Sequence, residues 1–205
     1  MTLDQYRSLA DRLLEPFVGL AARAGLTPNG VSALAFVLAG AAGVTYALAG
    51  GESLWYLVGA VLVGLNGALD LLDGALARRL DTASPAGDLL DHVLDRYADI
   101  VLVVGLAIGI ERTLLGIVAV TGVLMTSYLG TQAQAVGLDR VYGGLLGRAD
   151  RLALIGIVTA IAAFVDPSIL DVGLVGWLLV VLAVVGHLTA LQRLSHAWNV
   201  LSPGR

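Results

Sequence analysis

The stretch Val31–Gly50 contains no charged residue, and further apolar runs follow it. A helix of about 20 residues is roughly 30 Å long, the thickness of a bilayer's hydrocarbon core. In lipid the backbone polar groups find no water, so such a run must bond internally as a helix. Six apolar segments can be marked: Val31–Gly50, Leu54–Leu69 running into an acidic stretch that ends near Arg79, Gly87–Ile110, Thr113–Leu138, Leu152–Val165 with a start as early as Gly147, and Val172–Gln192. Turn signals separate them at Gly50-Gly51, Ser84-Pro85, Gly143-Gly144 and Asp166-Pro167. Of the 205 residues 58% are hydrophobic and 14% charged, against about 25% charged in soluble domains. The expectation is an all-α integral membrane protein, one domain over residues 1–205, with six transmembrane helices in residues 25–200.

Residues 1–24 do not fit a secretory leader, because Asp4, Arg7, Asp11, Arg12 and Glu15 interrupt any apolar core. Leu3, Tyr6, Leu13, Leu14, Phe17 and Val18 recur at helical spacing between those charges. That pattern predicts an amphipathic helix on the membrane surface. All 12 basic residues are arginine, and cysteine is absent, which excludes disulfides and thiolate metal sites. Arg7, Arg12 and Arg23 precede the first segment, Arg78 and Arg79 follow the second, Arg140, Arg148 and Arg151 lie between the fourth and fifth, and Arg193 and Arg205 come last. Only Arg112 falls on the other side, so the positive-inside rule predicts cytoplasmic termini in the cell membrane. The net charge of −4 argues against a nucleic-acid partner.

The informative polar residues sit in the second and third segments. Asp70 and Asp73 are three residues apart and share a helix face; Asp91 and Asp95 are four apart and share another. If the two helices are antiparallel neighbours joined by a turn near Asp81–Ala86, all four carboxylates reach similar depth, just inside the cytoplasmic face. A central aspartate costs roughly 2.5–3.5 kcal/mol to insert, and four together repel one another. A bound divalent cation offsets both effects. An all-oxygen donor set points to a hard ion, Mg²⁺ or Mn²⁺, one or two of them. Gly74 and Gly87 border the cluster and allow a bulky group close to the backbone, and Arg78 is placed to hold a phosphate. Structural salt bridges with Arg78, Arg79 and Arg96 are the competing reading. Asp88 and Asp99 read as helix-end or interhelical hydrogen-bonding groups, and His92 as a packing or hydrogen-bonding residue.

The pattern Asp70-x-x-Asp73-Gly74-x-x-Ala77-Arg78, eight residues, Gly87-x-x-x-Asp91-x-x-x-Asp95 resembles the signature of the CDP-alcohol phosphotransferases at all eight positions. The resemblance extends over the whole chain. It implies transfer of a lipid phosphatidyl or archaetidyl group from a CDP-linked lipid (CDP-diacylglycerol or CDP-archaeol) to a polar alcohol, with release of CMP. By the same resemblance Asp70, Asp73 and Asp91 hold the metal on the pyrophosphate. Asp95 adds a metal contact and acts as general base, while Gly74, Ala77, Arg78 and Gly87 shape the CDP site. A homodimer in contact with membrane lipid is also implied.

A narrower resemblance, to phosphatidylinositol-phosphate and archaetidylinositol-phosphate synthases, rests on four stretches. Leu26-Thr27-Pro28-Asn29-Gly30-Val31-Ser32 opens the first span and suggests CDP-lipid contacts at Asn29 and Ser32, against plain helix capping. Ser84 matches a nucleotide-contacting position, or is a turn residue. Ser127-Tyr128-Leu129, Gly147-Arg148-Ala149-Asp150-Arg151-Leu152, and Leu191-Gln192-Arg193-Leu194 with Trp198 also match. The resemblance implies that Arg148, Arg151 and Arg193 hold the acceptor's phosphate, so inositol phosphate is the expected acceptor. The subfamily has a lysine shortly after the Ser-Tyr pair, where this chain has Gly130-Thr131-Gln132. Glycerol phosphate is therefore the next acceptor, then serine or inositol. A cation or substrate transporter is the alternative from another class. It predicts acids spread through the membrane depth and related halves; here the acids cluster at one end and no repeat is visible.

Overall fold

The structure is a computed structural model that describes residues 7–139, 144–165 and 167–202, with side chains described from residue 13 onward. Seven helices are found among these residues: α1 Arg7–Arg23, α2 Pro28–Leu48, α3 Leu54–Leu80, α4 Pro85–Gly109, α5 Thr113–Ala135, α6 Arg148–Ala162 and α7 Leu174–Leu201. The described residues form no strand, and Ile169 and Val172 pair in one isolated bridge. The all-α expectation holds, and each marked segment contains one helix. The turn signal at Asp166-Pro167 lies partly outside the described residues, as do Leu3, Tyr6, Arg140, Gly143 and Arg205.

Four helices, α2, α3, α5 and α7, are long and apolar enough to cross a membrane. The other two expected spans differ for physical reasons. The first half of α4 carries Asp88, Asp91, Asp95 and Arg96, and α6 has 15 residues, about 22 Å of helix. Large apolar side chains such as Val37, Val61, Leu114, Ile157 and Val184 are exposed around the bundle, as lipid-facing residues are.

Local chemistry sets the helix ends that matter for the site. Thr27 caps α2, its Oγ1 accepting from the Gly30 N–H at 3.2 Å, and Pro28 follows at the first turn, where its missing N–H costs nothing. The start of α4 repeats the device: Ser84 Oγ accepts from the Gly87 N–H at 3.1 Å, ahead of Pro85. Between them α3 ends at Asp81, which adopts a left-handed conformation (φ 53°). Aspartate tolerates that region better than most residues. The Asp81 and Thr82 N–H groups bond back to Arg78 and Ala77 carbonyls, closing the helix.

The helices form a ring in the order α2, α4, α5, α7, α6, α3 and back to α2, with α1 laid on α3. On α1, Val18 and Ala21 pack with Val31 and Leu76, joined by Leu14, Leu69, Leu72 and Ala75. Leu13, Phe17 and Leu20 face outward, 60 to 67% exposed, as a helix at a membrane surface requires. The sequence reading supposes α3 and α4 to be antiparallel neighbours; in the structure they do not pack directly on each other. Among the described residues their Cα atoms stay more than 8 Å apart, and α2 packs closely on both. The acidic faces of α3 and α4 are held apart, and side chains from α2 and α6 enter the gap.

The α2–α4 contact depends on glycine. A Cβ on Gly105 would collide with the Gly43 backbone carbonyl, and one on Gly43 with Val101. Close backbone approach of this kind is how helices associate in lipid. Gly105→Val is expected to destabilise the protein by about 1–3 kcal/mol or more, read as a lowered melting temperature in detergent. Gly40→Ala, where a Cβ meets nothing within 4 Å, is expected to leave it unchanged or slightly raised.

Candidate active site

Three of the four expected acids converge. Asp70 on α3 and Asp91 and Asp95 on α4 each offer a carboxylate oxygen, and the three oxygens lie within 4.8 Å of one another. Arg148, at the first position of α6, forks between two of them. Its Nη1 reaches Asp70 Oδ2 and its Nη2 reaches Asp95 Oδ1, each at 2.6 Å. The fork pins α6 against both acid-bearing helices. The start of α6 is itself fixed by Asp150, whose Oδ2 accepts from the Gly147 N–H at 2.8 Å.

Asp73 stands apart from this trio. It is buried, and its Oδ2 accepts a 2.6 Å hydrogen bond from Ser32 Oγ on α2. Ser32 Oγ also lies 3.1 Å from the Pro28 carbonyl. The capping alternative for Ser32 is thus replaced by a direct link to the signature. Asn29 comes near the other half of it, since a Cβ on Gly87 would lie 3.4 Å from Asn29 Oδ1 and 3.3 Å from Ser84 Oγ. The N-termini of α2 and α4 therefore meet at the mouth of the acid cluster. Gly74, Ala77 and Arg78 follow Asp73 along α3 toward that same end, with Arg78 exposed.

The three arginines expected to converge on an acceptor phosphate are engaged separately. Arg148 holds Asp70 and Asp95. Arg193 Nη1 donates to the Thr126 carbonyl on α5 at 2.7 Å. Arg151 is 3% exposed and donates at 2.7 Å to Asp99, itself 4% exposed. An arginine in apolar surroundings must be paired, and Asp99 is the acid one turn beyond Asp95 on the same face of α4. Asp99 is thereby an interhelical partner, as read from its position. Arg96 joins the group, with Nη2 at 3.5 Å from Asp95 and 3.7 Å from Asp99. His92 Nδ1 lies 2.7 Å from the Asp88 carbonyl oxygen, a hydrogen-bonding role.

Sequence reasoning passed over Asn66, and it gave Asp99 an interhelical role without its partner. Asn66 is 1% exposed and lines the same small cavity as the acids; its signal was the lone amide in an otherwise apolar run, one turn before Asp70. The Asp99–Arg151 pair was legible only as a continuation of the Asp91, Asp95 spacing.

The donor set fits a divalent cation. With every group ionised, Asp70, Asp73, Asp91, Asp95 and Asp99 carry two more charges than Arg96, Arg148 and Arg151 neutralise. The ligands are all oxygen, which suits Mg²⁺ or Mn²⁺.

Residues 25–191 match the family model for CDP-alcohol phosphatidyltransferase. The chain belongs to that family, and it is a transferase of phospholipid biosynthesis. It is 31% identical over 200 residues to archaetidylinositol phosphate synthase of Methanothermobacter thermautotrophicus, covering 97% of this chain and 95% of the relative. It is 36% identical to phosphatidylinositol phosphate synthase of Mycolicibacterium smegmatis, covering 94% and 86%. Among solved structures it resembles phosphatidylinositol phosphate synthase of Mycobacterium tuberculosis with CDP-DAG bound, at a TM-score of 0.79 and 28% identity, covering 94% of this chain and 96% of that one. A crystal structure of that same protein, in complex with manganese and citrate, matches at a TM-score of 0.78.

Breaking the buried Asp99–Arg151 pair from one side should leave an uncompensated charge. Asp99→Leu or Arg151→Leu alone is expected to cost about 3–5 kcal/mol, and the double Leu variant less than either. Thermal unfolding in detergent checks the order.

Proposed function

We propose that this enzyme transfers the phosphatidyl or archaetidyl group of a CDP-linked lipid to inositol phosphate, releasing CMP. The observation that carries the reading is the Asp70–Asp91–Asp95 oxygen cluster, clasped by Arg148 at the family's spacing. The manganese complex and the CDP-DAG complex of a structural relative support it, as do the inositol-phosphate synthases among its sequence relatives.

In this reading Asp70, Asp91 and Asp95 hold the divalent cation, with Asp73 beside them and oriented by Ser32. When bound, the ion neutralises the pyrophosphate and the charge that develops as CMP leaves. Asn29, Ser32, Ser84 and Gly87, at the joined ends of α2 and α4, border the CDP-lipid with Gly74, Ala77 and Arg78. The acceptor hydroxyl attacks the phosphorus attached to the lipid. Its proton passes to Asp95, a bond forms from the acceptor oxygen to phosphorus, and the pyrophosphate P–O bond to CMP breaks. Arg148 and Arg193 hold the acceptor's phosphate. The unpartnered, buried Nε of Arg148 supports this by leaving a donor for an incoming oxyanion. Arg151 enters through Asp99, fixing the turn of α6 that presents Arg148. Gln132 stands in the stretch where related synthases carry a lysine, so glycerol phosphate is the second acceptor, ahead of serine and inositol.

We read residues 1–205 as one membrane domain: α2 to α7 span six times, and α1 lies on the surface. Both termini and the acid cluster face the cytoplasm, and two copies form a homodimer in the cell membrane. The arginine distribution supports the orientation, since Arg78, Arg79, Arg148, Arg151 and Arg193 fall at the cluster's end of the bundle.

CMP release from CDP-diacylglycerol or CDP-archaeol with Mg²⁺ tests the reaction. Wild type is expected to turn over with inositol phosphate, and Asp95→Asn to lose about 10²–10⁴-fold. Variant turnover equal to wild type would remove the general base. Parallel assays with glycerol phosphate, inositol and serine decide the acceptor; a faster reaction with one of these would replace inositol phosphate.

A further inference from the structure

Asn66 sits on α3 one turn before Asp70, 1% exposed. Its Nδ2 donates to the Ala35 carbonyl of α2 at 2.9 Å. That bond fixes the amide's orientation, since the flipped form would set carbonyl against carbonyl. Asn66 Oδ1 is consequently held in place, and it is buried with no hydrogen-bond partner. An unpartnered buried acceptor costs about 1–3 kcal/mol, so the missing donor is significant.

The surroundings narrow the choice of donor. Asn66 lines a cavity of about 10 Å³ shared with Asp70, Asp73, Asp91 and Asp95, room for about one water. The carboxylates there are acceptors. Ser32 Oγ is committed to Asp73, and the Arg148 fork to Asp70 and Asp95. Arg148 Nε also lacks a partner and is not bonded to Asn66. Among the described residues no side chain of the site supplies the donor.

We propose that Asn66 is a positioning residue of the metal centre, its Oδ1 accepting a hydrogen bond from a water carried by the divalent cation. This rests on the reading of Asp70, Asp91 and Asp95 as the metal ligands. A neutral acceptor suits the place: it orients a metal-bound water without adding a charge to an acid-rich interior. Second-sphere contacts of this kind shift metal affinity by about 10- to 100-fold.

Mn²⁺ titration of the full-length protein in detergent, following free Mn²⁺ by electron paramagnetic resonance, reads the effect without turnover. Asn66→Leu keeps the branched outline and removes the acceptor; Asn66→Ala is the second variant. Both are expected to weaken Mn²⁺ binding about 10- to 100-fold. Melting temperature is measured in parallel with and without Mn²⁺, and the metal-induced rise should shrink. A variant that melts earlier yet binds Mn²⁺ as wild type does would overturn the proposal and leave Asn66 a structural residue. Asp70→Asn separates the two readings. If it binds Mn²⁺ as tightly as wild type, or wild type binds none, the metal centre itself is wrong and this inference goes with it. If Asp70→Asn loses the metal while both Asn66 variants keep it, only the role of Asn66 fails.

Discussion

The fork of Arg148 between Asp70 and Asp95 is the contact on which the arrangement of this bundle turns. Carboxylates placed on two helices repel, and in a medium of low dielectric that repulsion reaches farther than in water. The structure answers it by keeping α3 and α4 apart and by setting a guanidinium from α6 between them. The same logic continues one turn along α4, where Arg151 from α6 meets Asp99. The short helix α6 is therefore attached to the acid-bearing pair through charge as well as through apolar packing. Its three-residue spacing between Arg148 and Arg151 puts both cations on one face.

Beside this polar centre, α2 and α4 meet through glycine. The collision that any side chain on Gly105 would make with the Gly43 carbonyl shows how closely α2 and α4 approach. That approach brings the capped starts of the two helices together, so that Asn29 comes beside Gly87. It also seats Ser32 against Asp73 and Ala35 against Asn66. α2 carries no charge of its own. It nonetheless orients two polar side chains of α3, one by a hydroxyl and one by a backbone carbonyl.

Much of the fold was legible from the chain. The apolar runs and the proline and hydroxyl residues at the starts of α2 and α4 locate the helices α2 to α6 closely, while α7 runs nine residues past the marked Gln192 to Leu201. The acidic spacing marks the site, because four aspartates at helical spacing beside apolar runs match the family signature. What could not be read was pairing. Periodicity places a residue on a face of its helix but does not say which helix that face meets. Spacing puts Asp70 and Asp73 on one face of α3, but only the fold seats Ser32 of α2 against Asp73. Spacing likewise does not say that Arg151 meets Asp99 in the interior.

By itself the sequence determined an all-helical membrane chain with an acidic cluster near one end and the family signature in its spacing. These follow from hydrophobicity, helix geometry and local capping, all of which act within a few residues. Only the tertiary structure decided the ring order, the separation of α3 from α4 and the partner of each buried charge. It also left the amide oxygen of Asn66 without a donor. Such outcomes depend on which groups meet across 30 or more residues of chain, from Ala35 to Asn66 and from Asp70 to Arg148, and the energy of those meetings is set by burial that no local pattern records.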